Sequence, residues 1–247
     1  MLAVSQMCAA ARVVALLGLA GLCGGAAVAQ SAPPMQLAAL TPAIDALQPA
    51  PSDTGPFGLT AAHSGTLAAK WRGLHPAIQI ESRILEFCRT DAKLCTPAAA
   101  QFLAIVEAGR SRSGRARIGE INRAINLAIR PENDLVRFQL RDVWATPLTT
   151  FTAGAGDCED YAIAKYVALR EAGMPPEDLR IVIVRHRALG QDHAVAAARL
   201  DGEWLLLDNR HMRLSADNQA SDMTPLVTLD HHDIQPAVEA AKVAEAT

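Results

Sequence analysis

The chain has 247 residues, half of them apolar and only 4% aromatic, with a formal net charge of −3. That length suits one domain with a proper core plus a small extension. The slightly acidic balance gives no electrostatic basis for nucleic-acid binding, and the sequence has no H-E-x-x-H or C-x-x-C spacing to support a zinc hydrolase.

Arg12 precedes an apolar, Gly/Ala-rich run over 13–28, and Ala27-Val28-Ala29 has the small-x-small form of a signal-peptidase site. The expectation is a cleaved export signal over residues 1–29. The apolar stretch 13–22 is short for a membrane span, and Leu22 rather than a small residue precedes Cys23, which argues against lipidation. Removing the signal discards Cys8 and Cys23 and leaves Cys88, Cys95 and Cys158 in a compartment where disulfides persist. A Cys88–Cys95 bridge would pin the turn between two helical segments and leave Cys158 as the free thiol. The competing reading is two separately buried cysteines.

Residues 30–73 are rich in Ala, Pro, Ser, Thr and Gly, with breakers at Pro49, Pro51 and Pro56, and read as a linker or loosely docked arm. A single domain is expected over 74–234, with an alanine-rich tail over 235–247. Its first helix begins near Pro76 and carries Ile78, Ile80, Ile84, Leu85 and Phe87 to about Cys88. A second starts with Thr96 as N-cap and Pro97 at the first helical position, and runs to Gly109. The basic turn 110–117 has no interleaved aromatic residues and reads as a solvated connection. Ile118, Ile121, Ile125 and Ile129 mark a third helix that stops at Pro131.

Another helix is predicted from Cys158 to Ala172, closed by Gly173. Strands follow over 179–184, 193–200 and 203–209, the last two joined by Asp201-Gly202, a strong hairpin signal. Helices first, then a helix beside an antiparallel sheet, define an α+β fold class.

The chemistry concentrates where these elements meet. Gly154-Ala155-Gly156-Asp157-Cys158 delivers a thiol to a helix N-terminus, where free N–H groups and the helix dipole favour the thiolate. With a two-residue loop, facing residues of the hairpin place Val195 opposite Asp208 and His193 opposite Arg210. His193 and Asp208 are then diagonal neighbours on one face. An aspartate holding one imidazole nitrogen leaves the other to take the thiol proton, so Cys158, His193 and Asp208 form the candidate catalytic triad. Taken singly, each residue has a structural explanation: a buried helix cysteine, a strand-start histidine, a strand-end turn former. Of the other histidines, His186 and His211 are the remaining candidates for the base.

The blocks Asp142-Val143-Trp144-Ala145-Thr146-Pro147, Gly156-Asp157-Cys158-Glu159-Asp160-Tyr161-Ala162 with Lys165, His193-Ala194-Val195 and Leu207-Asp208-Asn209 resemble the bacterial transglutaminase-like cysteine peptidases, the family of the LapG-type periplasmic proteases. The resemblance implies a papain-like/transglutaminase-like core, the same triad, and proteolysis of exported proteins. It also implies a surface adhesin as substrate and an inner-membrane receptor as regulator. Two further readings share the residues: a transglutaminase or other acyltransferase in which an amine replaces water, and a noncatalytic binding module that keeps the cleft.

Asp157, Glu159 and Asp160 crowd Cys158 with like charge, which disfavours the thiolate. Acidic residues suit a helix's first turn, where Asp157 can cap free N–H groups. A bound cation would also account for the nucleophile's placement there, since Ca²⁺ takes carboxylate oxygens and would neutralise the cluster. LapG-type proteins are calcium-dependent, so the resemblance makes Asp157, Glu159 and Asp160 the expected metal residues.

Overall fold

The computed structural model describes residues 54–231 apart from 135, 137, 138, 140 and 141. The expected export signal, the first part of the arm and the tail lie outside the described residues.

Helix α1 spans Thr66–Thr90 and runs through Pro76, so it begins ten residues before the start expected at that proline. A proline removes one intrahelical hydrogen bond. Here buried Trp71, His75, Ile78 and Leu85 anchor the helix on both sides of the break. Trp71 packs edge-on against His75 and Tyr166, with ring centroids 4.7 and 5.2 Å apart.

Helix α2, Pro97–Arg110, starts as its sequence dictates: Pro97 occupies the first turn and Thr96 Oγ1 accepts from Ala99 N–H at 3.1 Å. The α1–α2 turn is closed by a Cys88–Cys95 disulfide. Closing a loop of this length stabilises by about 2–3 kcal/mol in the chain-entropy account. Replacing Cys88 and Cys95 by serine should therefore lower Tm by several degrees, read by thermal unfolding. Peptide mapping of the unreduced wild type should find the two cysteines linked and Cys158 free.

Helix α3, Gly114–Ala128, buries Ile118, Ile121 and Ile125 as its apolar period predicts. The chain then forms a two-residue strand β1, Arg130–Pro131. After the short helix α4, Pro147–Ala153, comes β2, Ala155–Gly156, which pairs parallel with β1. None of α4, β1 or β2 carries a periodic signal long enough to read in sequence.

Helix α5, Cys158–Glu171, is the centre of the fold, buried continuously from Asp160 to Leu169. It lies on a five-stranded antiparallel sheet of β3 (Leu179–His186), β4 (Gln191–Leu200), β5 (Glu203–Leu207), β6 (Ser215–Ala216) and β7 (Met223–Leu229), in the order β6-β5-β4-β3-β7. The inner face offers Ala194, Ala196 and Ala198 from β4 beside Leu205 and Leu207, small residues that let α5 pack close. The outer face carries a second cluster of Val182, Val184, Val195, Trp204 and Leu206, against which Phe57 packs. The arm is therefore docked from residue 54 onward. Trp204 Nε1 donates to Thr54 O at 3.2 Å, and Ala62 N–H donates to Thr228 O at 2.7 Å.

Candidate active site

Local geometry sets Cys158 at its helix end. Gly154 closes α4 in the left-handed region, at φ 63°, where glycine meets no Cβ clash. β2 then carries the chain to Asp157, whose backbone is extended, and Cys158 is the first residue of α5. Only glycine fits at 156, because an added Cβ would lie 2.8 Å from both Cβ and Oδ2 of Asp160.

The Cys158 thiol is partly exposed and donates to Glu159 Oε2 at 2.8 Å. Burial raises its pKa well above the ordinary thiol value, and the charge and hydrogen bond of Glu159 and the charge of Asp157 push it the same way. The Ala194 N–H of β4 acts on the sulfur in the opposite sense. That contact puts the nucleophile one residue from His193.

The β4–β5 register is the one expected from the Asp201-Gly202 loop, from Leu200↔Glu203 to Ala196↔Leu207, but β5 ends there. The expected pairing of His193 with Arg210 does not form, because the chain turns after Leu207 and Arg210 N–H instead donates to Asp208 Oδ1 at 2.9 Å. His193 Nε2 lies 2.8 Å from the same oxygen, and both residues are buried. Burial opposes ionisation of Asp208. The hydrogen bond and charge of His193, with Arg210 N–H and the charge of His211, nevertheless hold its carboxyl below the ordinary range. His193 Nδ1 is buried without a hydrogen-bond partner. A carboxylate on Nε2 keeps the proton there and leaves Nδ1 as the basic nitrogen.

The alternative bases are placed elsewhere. His186 Nε2 is 3.1 Å from Asp222 Oδ2, and the backbone N–H of His211 bonds to Asp208 O across the turn at 3.4 Å.

Asp134, Asp157 and Asp160 bring carboxylate oxygens within 4.8 Å of one another. Asp157 and Asp160 belong to the set expected from sequence. Glu159, the third of that set, is turned to the Cys158 thiol, and Asp134 joins the cluster in its place. Asp134 is brought there by the β1–β2 pairing, which ties Pro131 to Gly156; sequence offers no signal for so local a parallel contact. Asp160 Oδ1 accepts from Ala145 N–H at 2.9 Å, and Asp134 Oδ2 accepts from Val143 N–H. Asp134 Oδ1 and Asp157 Oδ1 are buried without a hydrogen-bond partner. Burial, followed by the charges of Glu159, Asp160 and Asp134, pushes the Asp157 carboxyl up to about 8. Asp157 sits at the N-cap position but makes no side-chain cap bond, so helix capping does not account for it. Crowded carboxylates with orphaned oxygens are the donor set that suits a hard, oxygen-preferring cation.

A separate groove of about 520 Å³ between α1, α2 and α4 is lined by Glu81, Ile84, Thr96, Leu148 and Thr149, and none of Cys158, His193 and Asp208 lines it.

A cysteine at a helix N-terminus beside a strand-borne histidine paired with a carboxylate is the layout of thiol-dependent acyl transfer. The profile of the bacterial transglutaminase-like cysteine proteinases matches residues 78–223. The chain belongs to that family. Among solved structures, Legionella pneumophila LapG is similar at 23% identity and a TM-score of 0.50, covering 60% of this chain and 83% of LapG. Its calcium-bound form gives the same values. Its EGTA-treated form has a TM-score of 0.51 at 23% identity, over 61% of this chain and 82% of its own. These likenesses carry the α+β fold. No curated protein sequence matches the chain.

Proposed function

We propose that the protein is an exported, periplasmic cysteine endopeptidase that cuts a protein substrate through Cys158, His193 and Asp208. The observation that carries this reading is the 2.8 Å His193–Asp208 pair, with Nδ1 left unpartnered on the residue next to the Ala194 N–H that reaches Cys158. His193 Nδ1 takes the thiol proton as sulfur attacks the scissile carbonyl. The first-turn N–H groups of α5 receive no cap from Asp157 and are available to the developing oxyanion. His193 then returns the proton to the leaving amine. Water, deprotonated by the same nitrogen, hydrolyses the thioester.

Asp134, Asp157 and Asp160 are the residues that would hold calcium. When bound, the ion supplies positive charge that offsets the acidic surroundings of the thiol and fixes the loop before α5. A calcium-bound form of LapG supports the choice of ion. A surface adhesin is the substrate class and an inner-membrane receptor the regulator proposed on the same family grounds.

The test is comparative mapping of new peptide termini in exported proteins exposed to the wild type or to Cys158→Ala. Cysteine-dependent cut sites support an endopeptidase. Cysteine-dependent isopeptide cross-links would replace it by an acyltransferase, and no cysteine-dependent product would leave a binding module.

A further inference from the structure

Lys165 lies on α5 two turns beyond Cys158, about 10 Å along the axis, and is fully buried. An ammonium in a core is costly unless it is paired and hydrogen-bonded, and the helix positions around it are Ile163, Ala164, Tyr166 and Val167. Its Nζ donates to Leu207 O at 3.2 Å and stands 5.7 Å from the Tyr161 ring centroid. Burial pushes the ammonium down to about 7, and the charge of Asp208 is what opposes that fall. Helix α3 contributes Asn126, whose Nδ2 donates to Asp208 O at 3.0 Å and to His211 O at 3.1 Å. One turn earlier, Asn122 Nδ2 donates to His211 O at 3.1 Å.

Lys165 and Asn126 meet the chain where strand pairing has ended. β5 stops at Leu207, so Asp208 has no ladder to hold it. Leu207 O belongs to the peptide before the Asp208 Cα, and Asp208 O to the peptide after it.

We infer that Lys165 and Asn126 are positioning residues that clamp the peptides on both sides of Asp208 and so fix the carboxylate that orients His193. The clamp rests on the triad reading above, and neither residue touches the sulfur or a substrate. Bonds of this supporting kind are what hold a catalytic constellation to a fraction of an ångström.

The test uses the full chain with calcium present. Its probe is iodoacetamide, and its readout is the alkylation rate of the Cys158 peptide at neutral pH by mass spectrometry. Lys165→Met and Asn126→Ala should each slow alkylation about tenfold. Lys165→Met leaves Leu207 O without this donor, so its Tm should fall by several degrees, and circular dichroism should show it folded at the assay temperature. In a Asp208→Ala background the same substitutions should add nothing, since they act through Asp208. Wild-type rates in both single variants, with Asp208→Ala slow, would overturn the clamp and leave the triad standing. An equal slowing with or without Asp208 would also overturn it, by showing a general packing role. A wild-type rate in Asp208→Ala would remove the triad reading and the clamp with it.

Discussion

Cys158→Ala should abolish turnover, and His193→Ala and Asp208→Ala should each lower it by several orders of magnitude. Members of such a unit fail together: losing the nucleophile or base costs about 10⁶-fold, and losing the orienting carboxylate about 10⁴-fold. The measurement is kcat/KM on whichever peptide bond is first shown to be cut, with the fold followed by circular dichroism. The three variants should differ in stability. Cys158→Ala removes a partly exposed thiol whose one side-chain bond is to Glu159 and should cost little. Asp208→Ala leaves His193 Nε2 buried without its acceptor and takes away the acceptor of Arg210 N–H, which costs roughly 1–3 kcal/mol for each group left unsatisfied. Because the Asp208 carboxyl is held below its ordinary value, its ionised form stabilises the fold above the normal carboxylate pKa. That contribution is lost as pH falls through the depressed folded value. The Tm gap between wild type and Asp208→Ala should therefore be present at neutral pH and narrow in strong acid. A folded Cys158→Ala protein that still cuts would remove the nucleophile assignment altogether.

The parts of the site legible in sequence are those encoded locally. The Asp201-Gly202 dipeptide occupies left-handed backbone at φ 52° and 83°, as a two-residue hairpin requires, and this fixes the register that brings 193 near 208. Thr96-Pro97 and Gly173 mark helix ends by chemistry that works within four residues. What escaped was set by contacts distant in sequence or by very short elements. Asp134 enters the acidic cluster through two residue pairs of parallel strand, and β7 adds to β3 by a long-range pairing with a bulge after Ile183. The arm's composition suggested a loose segment, yet Pro56 is buried and Phe57 N–H donates to Asp217 Oδ2 at 2.6 Å. The uncovered outer face of the sheet, not the arm's own pattern, decides that docking.

Calcium removal should be the second large effect. Three buried or half-buried aspartates share one small volume beside the nucleophile, and without a cation their mutual repulsion is relieved only by protonation, as the raised Asp157 pKa indicates. A carboxyl whose folded pKa is raised favours folding while protonated. In metal-free protein the penalty therefore develops as pH rises from the ordinary carboxylate range to about 8, and is full above it. A cation that binds the ionised form reverses this, so the Tm gain from added Ca²⁺ should be small near pH 4 and grow towards pH 8. At a hundredfold excess over Kd it should correspond to about 2.7 kcal/mol. Chelation should stop cleavage reversibly, and Ca²⁺ should restore it better than Mg²⁺, whose tighter octahedral shell suits an irregular set of carboxylates poorly. Asp134→Asn and Asp157→Asn should each weaken the response, measured by calorimetry and by turnover. Glu159→Gln separates two roles: if Glu159 only accepts the thiol's hydrogen bond, calcium affinity drops no further than the loss of one charge near Asp157 requires, while the thiol becomes more acidic. If it moves into the metal's shell when the ion binds, affinity falls as it does for the aspartates. Full turnover after exhaustive chelation, with no heat of Ca²⁺ binding, would show that the carboxylates share protons among themselves and that His193 activates the thiol without a metal.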